Sequence, residues 1–436
     1  MNTGTHTGDR TATFVLINGV VIKGGYAGFG EPDPNARDIE AYETILSGDL
    51  NSRNSYHVVT GSGTDGSAVL DGFTITGGNA DGIAPEDCGG GMYNFTGSPT
   101  VTNCRFIENF SLTMGGGMFN REGSSPTISN CAFIGNVSDD DGGGIRNYLN
   151  CHPMINNCTF IGNVAFEDGG GINNRKNSNA TITNCRFIGN IALSGGGMEN
   201  HVGHAVATGE PTITNCIFIG NVGEEGGGMR NTDLSPIVTN CTFVDNISSG
   251  MRNDSGSTPI VTNCIFWGNT GGSFDGSSTP IVRFSDVEGG FAGPGNINAD
   301  PLFADAVNGD YHLKSQVGRW DANSQSWTQD DVTSPCVDAE GPNSVWAAEL
   351  WPHGKRKNMG AYGGSAEASM SQLDIGSIAN LDGDVNDIVN FADLALFIDK
   401  WCYEGCLMAE DLNRDGIVDF QDFATIAFHW SKDNSE

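Results

Sequence analysis

A phrase of the form Thr-Asn-Cys-Xaa-Phe-Ile-Gly-Asn recurs down the middle of the chain and limits its possible folds more than any other feature. Its cysteine returns at seven positions, which are Cys104, Cys131, Cys158, Cys185, Cys216, Cys241 and Cys264. The steps are 27, 27, 27, 31, 25 and 23 residues, and a phenylalanine stands two residues beyond each cysteine. A repeat of about 20 to 50 residues is typical of solenoids, in which each unit packs only against its neighbours.

A second phrase, Gly-Gly-Gly-Met/Ile-Xaa-Asn, alternates with the first and supplies another set of spaced asparagines. They fall at Asn94, Asn120, Asn147, Asn174, Asn200 and Asn231, and a shortened copy ends at Asn253. Glycine makes up 63 of the 436 residues without a collagen triplet, which indicates many tight turns. We expect asparagines at strand ends to cap these turns, because asparagine tolerates a left-handed backbone and bonds its own main chain.

Each repeat contains alternating segments such as Thr181–Phe187, rich in Val, Ile, Thr and Phe and bounded by turn residues, which predicts short strands. A unit of 23 to 31 residues therefore predicts one coil of a parallel β-helix, with coils about 4.8 Å apart. Cysteine and phenylalanine share strand parity, so we expect both to point inward, the cysteines as buried thiols. Segments Thr13–Lys23, Thr44–Asp49 and Val69–Asn79 have the pattern of earlier coils.

The two phrases resemble the repeats of right-handed parallel β-helix proteins, including the bacterial polymorphic outer-membrane proteins, with a pectate-lyase-like architecture. The resemblance covers about residues 13–290 and implies an all-β right-handed parallel β-helix solenoid over residues 1–290. It also implies an extracellular or cell-surface location. Because β-helices host lyases, hydrolases, adhesins and inert stalks, it leaves the activity open. The repeats begin without the polar cap that such stacks need, so we expect an N-terminal piece to be missing.

Residues 291–370 lack the repeats and hold four of the seven tryptophans, which are Trp320, Trp327, Trp346 and Trp351. An open β-helix end exposes unpaired strand groups, so this segment is predicted to cap the solenoid. Its phrases resemble the end-capping segment of bacterial surface β-helix proteins. They are Asp300-Pro301-Leu302-Phe303, Asp310-Tyr311-His312-Leu313, Ser334-Pro335-Cys336 and Gly360-Ala361-Tyr362-Gly363. The alternative is an aromatic ligand site among the tryptophans.

Residues 371–436 contain two acidic segments that align at an offset of 29. Oxygen-bearing side chains stand at positions 1, 3, 5, 9 and 12 of each, the pattern of an EF-hand-type calcium loop. They are Asp382, Asp384, Asn386, Asn390 and Asp393 in the first loop and Asp411, Asn413, Asp415, Asp419 and Asp422 in the second. The carbonyls of Ile388 and Ile417 occupy position 7. Calcium would relieve the repulsion among the carboxylates, so binding should be coupled to folding.

A helix is predicted after each loop from apolar residues at helical spacing, namely Leu394, Phe397, Ile398 and Trp401, and then Phe423, Ile426, Ala427 and Trp430. The second loop has Gly416 at position 6, where the first has Asp387. Because Asp accepts a positive φ less readily than Gly, we expect the first site to be weaker or more distorted.

The duplication resembles a type I dockerin, over about residues 378–431. That resemblance implies a calcium-dependent module that docks onto a cohesin-like or other surface protein through residues 371–436. Where the family usually carries Ser-Thr-like pairs for cohesin recognition, this chain has Phe391-Ala392 and Phe420-Gln421, so the partner stays open. Cys402 and Cys406 lie between the halves and could form a local disulfide or be free thiols.

Carboxylates gather just before the glycine triplets, at Glu86-Asp87, Asp140-Asp141, Glu167-Asp168 and Glu224-Glu225. Asp141 and Asp168 are one coil apart and should stack at about 5 Å. Arg146, Arg230 and Arg252 follow the triplets as a basic column. Asp141, Asp168 and Arg146 are therefore the candidate catalytic residues, as a calcium-assisted lyase or as paired carboxylates of a glycosidase. The competing interpretation is a set of solvated turns.

With 21 basic and 53 acidic residues, the formal charge of −32 argues against a nucleic-acid partner. No apolar run is long enough to span a membrane. We favour a secreted or cell-surface stalk that binds carbohydrate or surface partners and carries a calcium-dependent docking module. The alternative is an enzyme, a polysaccharide lyase or glycoside hydrolase carried by a dockerin.

Overall fold

The computed structural model describes residues 8–51, 53–203, 209–342, 348–372, 378–382 and 388–430. The chain divides into two compact units. The first comprises Met1–Val261 with Phe266–Ile281, and the second comprises Thr262–Ile265 with Val282–Glu436. Each unit is described by itself.

The first unit is a parallel β-solenoid whose strands stack into long sheets. Sheet A contains ten strands, among them those that follow the glycine triplets. The ten strands are Phe14–Val15, Val59–Thr60, Met92–Phe95, Met118–Arg121, Ile145–Tyr148, Ile172–Arg175, Met198–His201, Met229–Thr232, Met251–Asp254 and Phe274–Asp275. The segments expected to be early coils contribute Phe14–Val15, Val21–Lys23 and Ile45–Ser47, each paired in parallel with a later strand.

Sheets B and C carry the strands on either side of each cysteine, and sheet D is shorter. In the first unit, sheet B contains Val21–Lys23, Val69–Asp71, Thr100–Thr102, Thr127–Ser129, Met154–Asn156, Thr181–Thr183, Thr212–Thr214 and Ile237–Thr239. Sheet C contains Ile45–Ser47, Thr74–Thr76, Arg105–Ile107, Ala132–Ile134, Thr159–Ile161, Arg186–Ile188, Ile217–Ile219 and Thr242–Val244. Sheet D contains Asn79–Ala80, Phe110–Ser111, Val137–Ser138, Val164–Ala165, Ile191–Ser194 and Val222–Glu225. Strands Ile260–Thr262, Ile265–Trp267 and Ile281–Arg283 contain residues of both units.

Identical residues stack upon one another through the core of the solenoid. Phe106 pairs with Phe133 and Phe133 with Phe160, and successive phenylalanine rings as far as Phe266 lie 4.5–5.0 Å apart with planes within 1–6°. The ladder cysteines are buried beside them. The inward orientation predicted from strand parity is confirmed.

The asparagines before the cysteines and the asparagines of the glycine phrase have different structural roles. The residue before each cysteine, from Asn103 to Asn240, has φ between 51 and 54° and turns the chain as expected. The asparagines of the glycine phrase do not cap turns. They are buried within sheet A, where each amide from Asn94 to Asn231 donates to the next side-chain oxygen at 2.8–3.0 Å.

The third glycine of each triplet is required by the closeness of the stacked coils. A Cβ on Gly117 would lie 2.5 Å from the carbonyl oxygen of Gly144 in the next coil and 3.0 Å from the ring of Phe133. No larger residue fits there without separating the coils.

The second unit starts with the last strands and continues into irregular chain. Phe303–Asp305 pairs antiparallel with Asp310–Leu313, around a 3-10 turn at Ala306–Asn308, and Arg319–Asp321 pairs with Ser326–Thr328. Asp286–Val287 is a further short strand.

Two helices follow, α1 (Phe391–Asp399) and α2 (Phe420–His429), each opened by a capping box in which Asn390 or Asp419 is the N-cap. Their small core consists of Ala379, Val389, Phe397, Leu412, Val418 and Ile426. Five of the eight predicted stripe residues belong to this core or pack on it, while Ile398, Phe423 and Ala427 are exposed. All twelve cysteines, including Cys402 and Cys406, are free thiols. No helix among the described residues is long and apolar enough to cross a membrane.

Candidate functional site

The outer face of sheet A brings charged, amide and aromatic side chains together in one row. Because side chains alternate along a strand, the residue after each inward Met or Ile points outward. Registered pairing stacks these outward residues from coil to coil, in the order Tyr93, Phe119, Arg146, Asn173, Glu199, Arg230 and Arg252. The carboxylates that precede the glycine triplets flank this row.

An aromatic pocket of about 220 Å³ lies at the early coils of this face. Tyr93, Phe119 and Tyr148 form its apolar wall, and Asp87 and Asp140 contribute carboxylates. The rings of Tyr93 and Phe119 are 5.9 Å apart and tilted. The repeat pattern alone did not predict this pocket, although the aromatic residues after two successive glycine triplets, Tyr93 and Phe119, were a signal for it.

Three carboxylates come together beside the pocket. One oxygen each from Asp140, Asp141 and Glu167 lies within 4.8 Å of the others. Burial, with the neighbouring charges of Asp141 and Glu167, raises the pKa of Asp140 to about 6. Asp140 belongs to both the pocket and the cluster, so the two features are continuous.

The candidate catalytic residues lie in this region, but two of them are enclosed. Arg146 Nη1 contacts Asp141 Oδ2 at 2.7 Å, and their side chains are 1% and 4% exposed. Arg175 lies 3.4 Å from both Asp141 Oδ2 and Asp168 Oδ2, so it bridges successive coils. Asp141 and Asp168 therefore share one arginine across successive coils, and their stacking at about 5 Å stays a prediction.

The expected basic column is interrupted by Asn173 and Glu199, which stack between Arg146 and Arg230. Glu199 is fully buried and accepts from Asn173 Nδ2 at 3.1 Å. Burial first, and then the charge of Asp168, raises the pKa of Glu199 well above its usual value. Further along, Arg230 pairs with Glu225 at 2.8 Å. Charges on this face are thus largely compensated within it.

The second predicted calcium loop, Asp411 to Asp422, lies wholly within the described residues. Asp411 accepts from the backbone N–H groups of Asp415 and Gly416 at 3.2 and 2.9 Å, and Gly416 has φ +89°. Asp422 accepts from the N–H groups of Asn413 and Asp419, both at 2.9 Å. Ile417 N–H is bonded to Asp415 Oδ1. The donor set consists of carboxylate, amide and carbonyl oxygens, the ligands that calcium prefers, so these residues fit the ion.

In the first loop the last carboxylate also accepts from two backbone N–H groups, at position 9 as in the second loop and at position 1 where the second loop uses position 3. Asp393 accepts from Asp382 N–H at 3.0 Å and Asn390 N–H at 2.8 Å, and the Asn390 side chain donates to the Ile388 carbonyl. Asp384, Asn386 and Asp387 lie outside the described residues, so the expected weakness of this loop stays a prediction.

The two halves of the helical module pack against each other through two aromatic pairs. Phe391 packs edge-to-face on Trp430 at 5.1 Å, and Trp401 packs likewise on Phe420 at 4.9 Å. The four residues are equivalent by the 29-residue offset. Phe391 and Phe420 nevertheless remain 78% and 74% exposed.

Two tryptophans of residues 291–370, Trp320 and Trp327, have structural partners. Trp320 is buried and packs edge-to-face on Trp327 at 5.8 Å. Trp327 Nε1 donates to the Cys406 carbonyl at 3.3 Å, and Arg414 of the second calcium loop lies 5.3 Å over its ring. Trp346 lies outside the described residues. The described contacts favour packing over the alternative of an aromatic ligand site.

Comparison with known proteins identifies parts of the chain. Residues 237–340 match the family described as disaggregatase related. No curated protein matches the chain. A crystal structure of pectate lyase Pel9A is similar at 13% identity, covering 80% of this chain and 85% of that one, with a TM-score of 0.37. Residues 50–206 match the family model of the right-handed β-helix region, and this part of the solenoid is therefore a right-handed β-helix.

Proposed function

We propose that this protein is a secreted or cell-surface β-helix that binds polysaccharide on the outer face of sheet A and is attached through its C-terminal calcium module. The observation that carries this proposal is the pocket where aromatic rings adjoin carboxylates. A sugar ring has an apolar C–H face and a rim of hydroxyls. Tyr148 offers a partly exposed ring for the face, backed by the buried rings of Tyr93 and Phe119, and Asp87 and Asp140 offer acceptors for the rim.

Binding fits this face better than turnover does. A general acid or base must reach the atom that gains or loses a proton. Asp141 and Arg146 are buried against each other within one coil, so neither is placed to reach a substrate. One observation favours the enzymatic alternative, a polysaccharide lyase or glycoside hydrolase: Asp140 lines the pocket with a pKa of about 6, a value suited to proton transfer near neutrality.

The exposed rings of Phe391 and Phe420 favour docking of the C-terminal module through an apolar contact. They stand at position 10 of their loops, next to residues that would hold calcium. A cohesin-like or other surface protein is the partner class that we propose. The extracellular or cell-surface location follows from the family resemblance of the repeats.

The proposal is tested on the full chain with a panel of neutral and uronate polysaccharides. Tyr148→Ala should weaken retention in affinity electrophoresis about fivefold to tenfold, because it removes one wall of the pocket. Tyr148→Phe keeps the ring and should bind normally, as should Phe95→Ala, which removes an exposed ring of sheet A outside the pocket. Chain-length chromatography of the same mixtures should show intact polymers. Absence of binding across the panel would contradict the proposal, and shortened chains would establish an enzyme instead.

A further inference from the structure

We infer that Asp140, Asp141 and Glu167 form a divalent-cation site on the solenoid, distinct from the two C-terminal loops. The three residues come from neighbouring coils, just before two successive glycine triplets. Their oxygens lie within 4.8 Å of one another. Calcium binds oxygen at about 2.3 to 2.6 Å, so two ligands on opposite sides of one ion are about 4.6 to 5.2 Å apart. The three oxygens can therefore share a single calcium ion.

A second observation points to a missing ligand at this place. Asp141 is buried, and its Oδ2 is occupied by Arg146 and Arg175. Its Oδ1 is buried without any hydrogen-bond partner. A buried carboxylate oxygen left unpaired is costly, and such atoms are nearly always satisfied in native proteins. An ion held jointly with Asp140 and Glu167 would supply the partner that Oδ1 lacks.

The ligand chemistry selects the kind of ion. All three donors are carboxylates, which suit hard cations rather than zinc or copper. Magnesium binds at about 2.0 to 2.1 Å in a strict octahedron and gives up its water reluctantly, so calcium, with its more flexible coordination, is the ion that we infer. Glu167 is exposed, so one side of the site stays open to water and to an entering ion.

The site adjoins the aromatic pocket through Asp140. An ion there would keep coordination positions open towards the pocket, where sugar hydroxyls could replace water. Only this consequence rests on the proposed function, because the ion itself needs nothing but the three carboxylates.

The test is a calcium titration of the metal-free full chain by calorimetry. The double variant Asp140→Asn/Glu167→Gln should bind one calcium equivalent fewer than the wild type. The matched control is Asp139→Asn, which changes an exposed neighbour outside the cluster and should keep the full number. Because the C-terminal loops are the same in all these proteins, a difference in the number of bound calcium ions reports on the solenoid site alone.

A single variant protects the test against misfolding. Glu167 is exposed, so Glu167→Gln should leave the thermal unfolding temperature in the absence of metal unchanged, while weakening one calcium site about tenfold. Equal stoichiometry and equal affinities in all the variants would overturn the inference. The titration contains no polysaccharide, so this result would leave the proposed binding function standing on its own test.

Discussion

In the core of the solenoid, individual asparagine side chains form hydrogen bonds with the neighbouring coils. Asn163 Nδ2 donates to the Phe133 carbonyl at 2.8 Å and to Asn190 Oδ1 at 2.9 Å. Its Oδ1 accepts from the backbone N–H and the side-chain amide of Asn136 at 3.1 and 2.9 Å. One buried amide thus satisfies groups of three coils, which explains why the phrase ends in asparagine at each repeat.

We expect Asn163→Ala to lower the free energy of unfolding by about 3 to 5 kcal/mol, because it leaves several buried polar groups unpaired at once. The control is Asn156→Ala in the same coil, where the exposed side chain should matter by less than about 0.5 kcal/mol. Urea unfolding followed by circular dichroism measures both. Similar small losses in the two variants would show that the ladder adds little to stability.

At the scale of the element, the sequence predicted the side-chain ladders that repeat from coil to coil, but it did not predict the ion pairs between different residues of sheet A and its flanks. Strand parity was enough to orient the cysteine and phenylalanine ladders, because stacked coils repeat the same side chain. The contacts on the outer face of sheet A were harder to predict from the sequence. Arg146 pairs with Asp141 of its own coil, and Arg175 reaches back to Asp141 from the next, choices that depend on side-chain conformation rather than on the repeat. The repeat therefore predicted that Asp141 and Asp168 are neighbours but not that an arginine bridges them.

Residues 291–370 contain a buried carboxyl that should make the stability of this segment depend on pH. Glu349 Oε1 accepts from the N–H groups of Asn358 and Gly364 at 2.8 and 2.7 Å. Burial raises the pKa of Glu349 from 4.5 to about 8. Between pH 4.5 and about pH 8, the Glu349 carboxyl has lost its proton in the unfolded chain but keeps it in the folded segment. The free energy of unfolding contributed by this group is therefore full below pH 4.5 and falls as pH rises towards about 8.

Glu349→Gln keeps an oxygen acceptor and removes the titration, so the variant should lose less stability than the wild type between about pH 5 and pH 8. Thermal unfolding followed by tryptophan fluorescence at these two pH values tests this. Asp331→Asn, an exposed carboxylate of the same segment, should follow the wild type. If Glu349→Gln and the wild type show the same pH dependence, Glu349 is ionised in the folded protein.

At the scale of the whole molecule, the two kinds of architecture should respond differently to calcium. The solenoid is held by stacked rings, amide ladders and backbone pairing, none of which needs a metal ion. The helical module has a core of only a few residues, and its loops gather carboxylates such as Asp411, Asp415 and Asp422. Without a cation these charges repel one another, so the ion is expected to supply much of the folding free energy of the module.

Chelation should therefore remove the helical signal of residues 371–436 while the β-sheet signal of the solenoid persists, giving two separate transitions in calorimetry. Asp415→Ala should reproduce part of this effect with calcium present, because it deletes a predicted ligand of the second loop. Asp399→Ala removes an exposed carboxylate of α1 outside both loops and should leave the helical signal intact. If the helical signal does not change with calcium, the loops do not bind it as assigned. If the solenoid melts together with the module, the two do not fold independently, and attachment through the module would then affect the binding face as well.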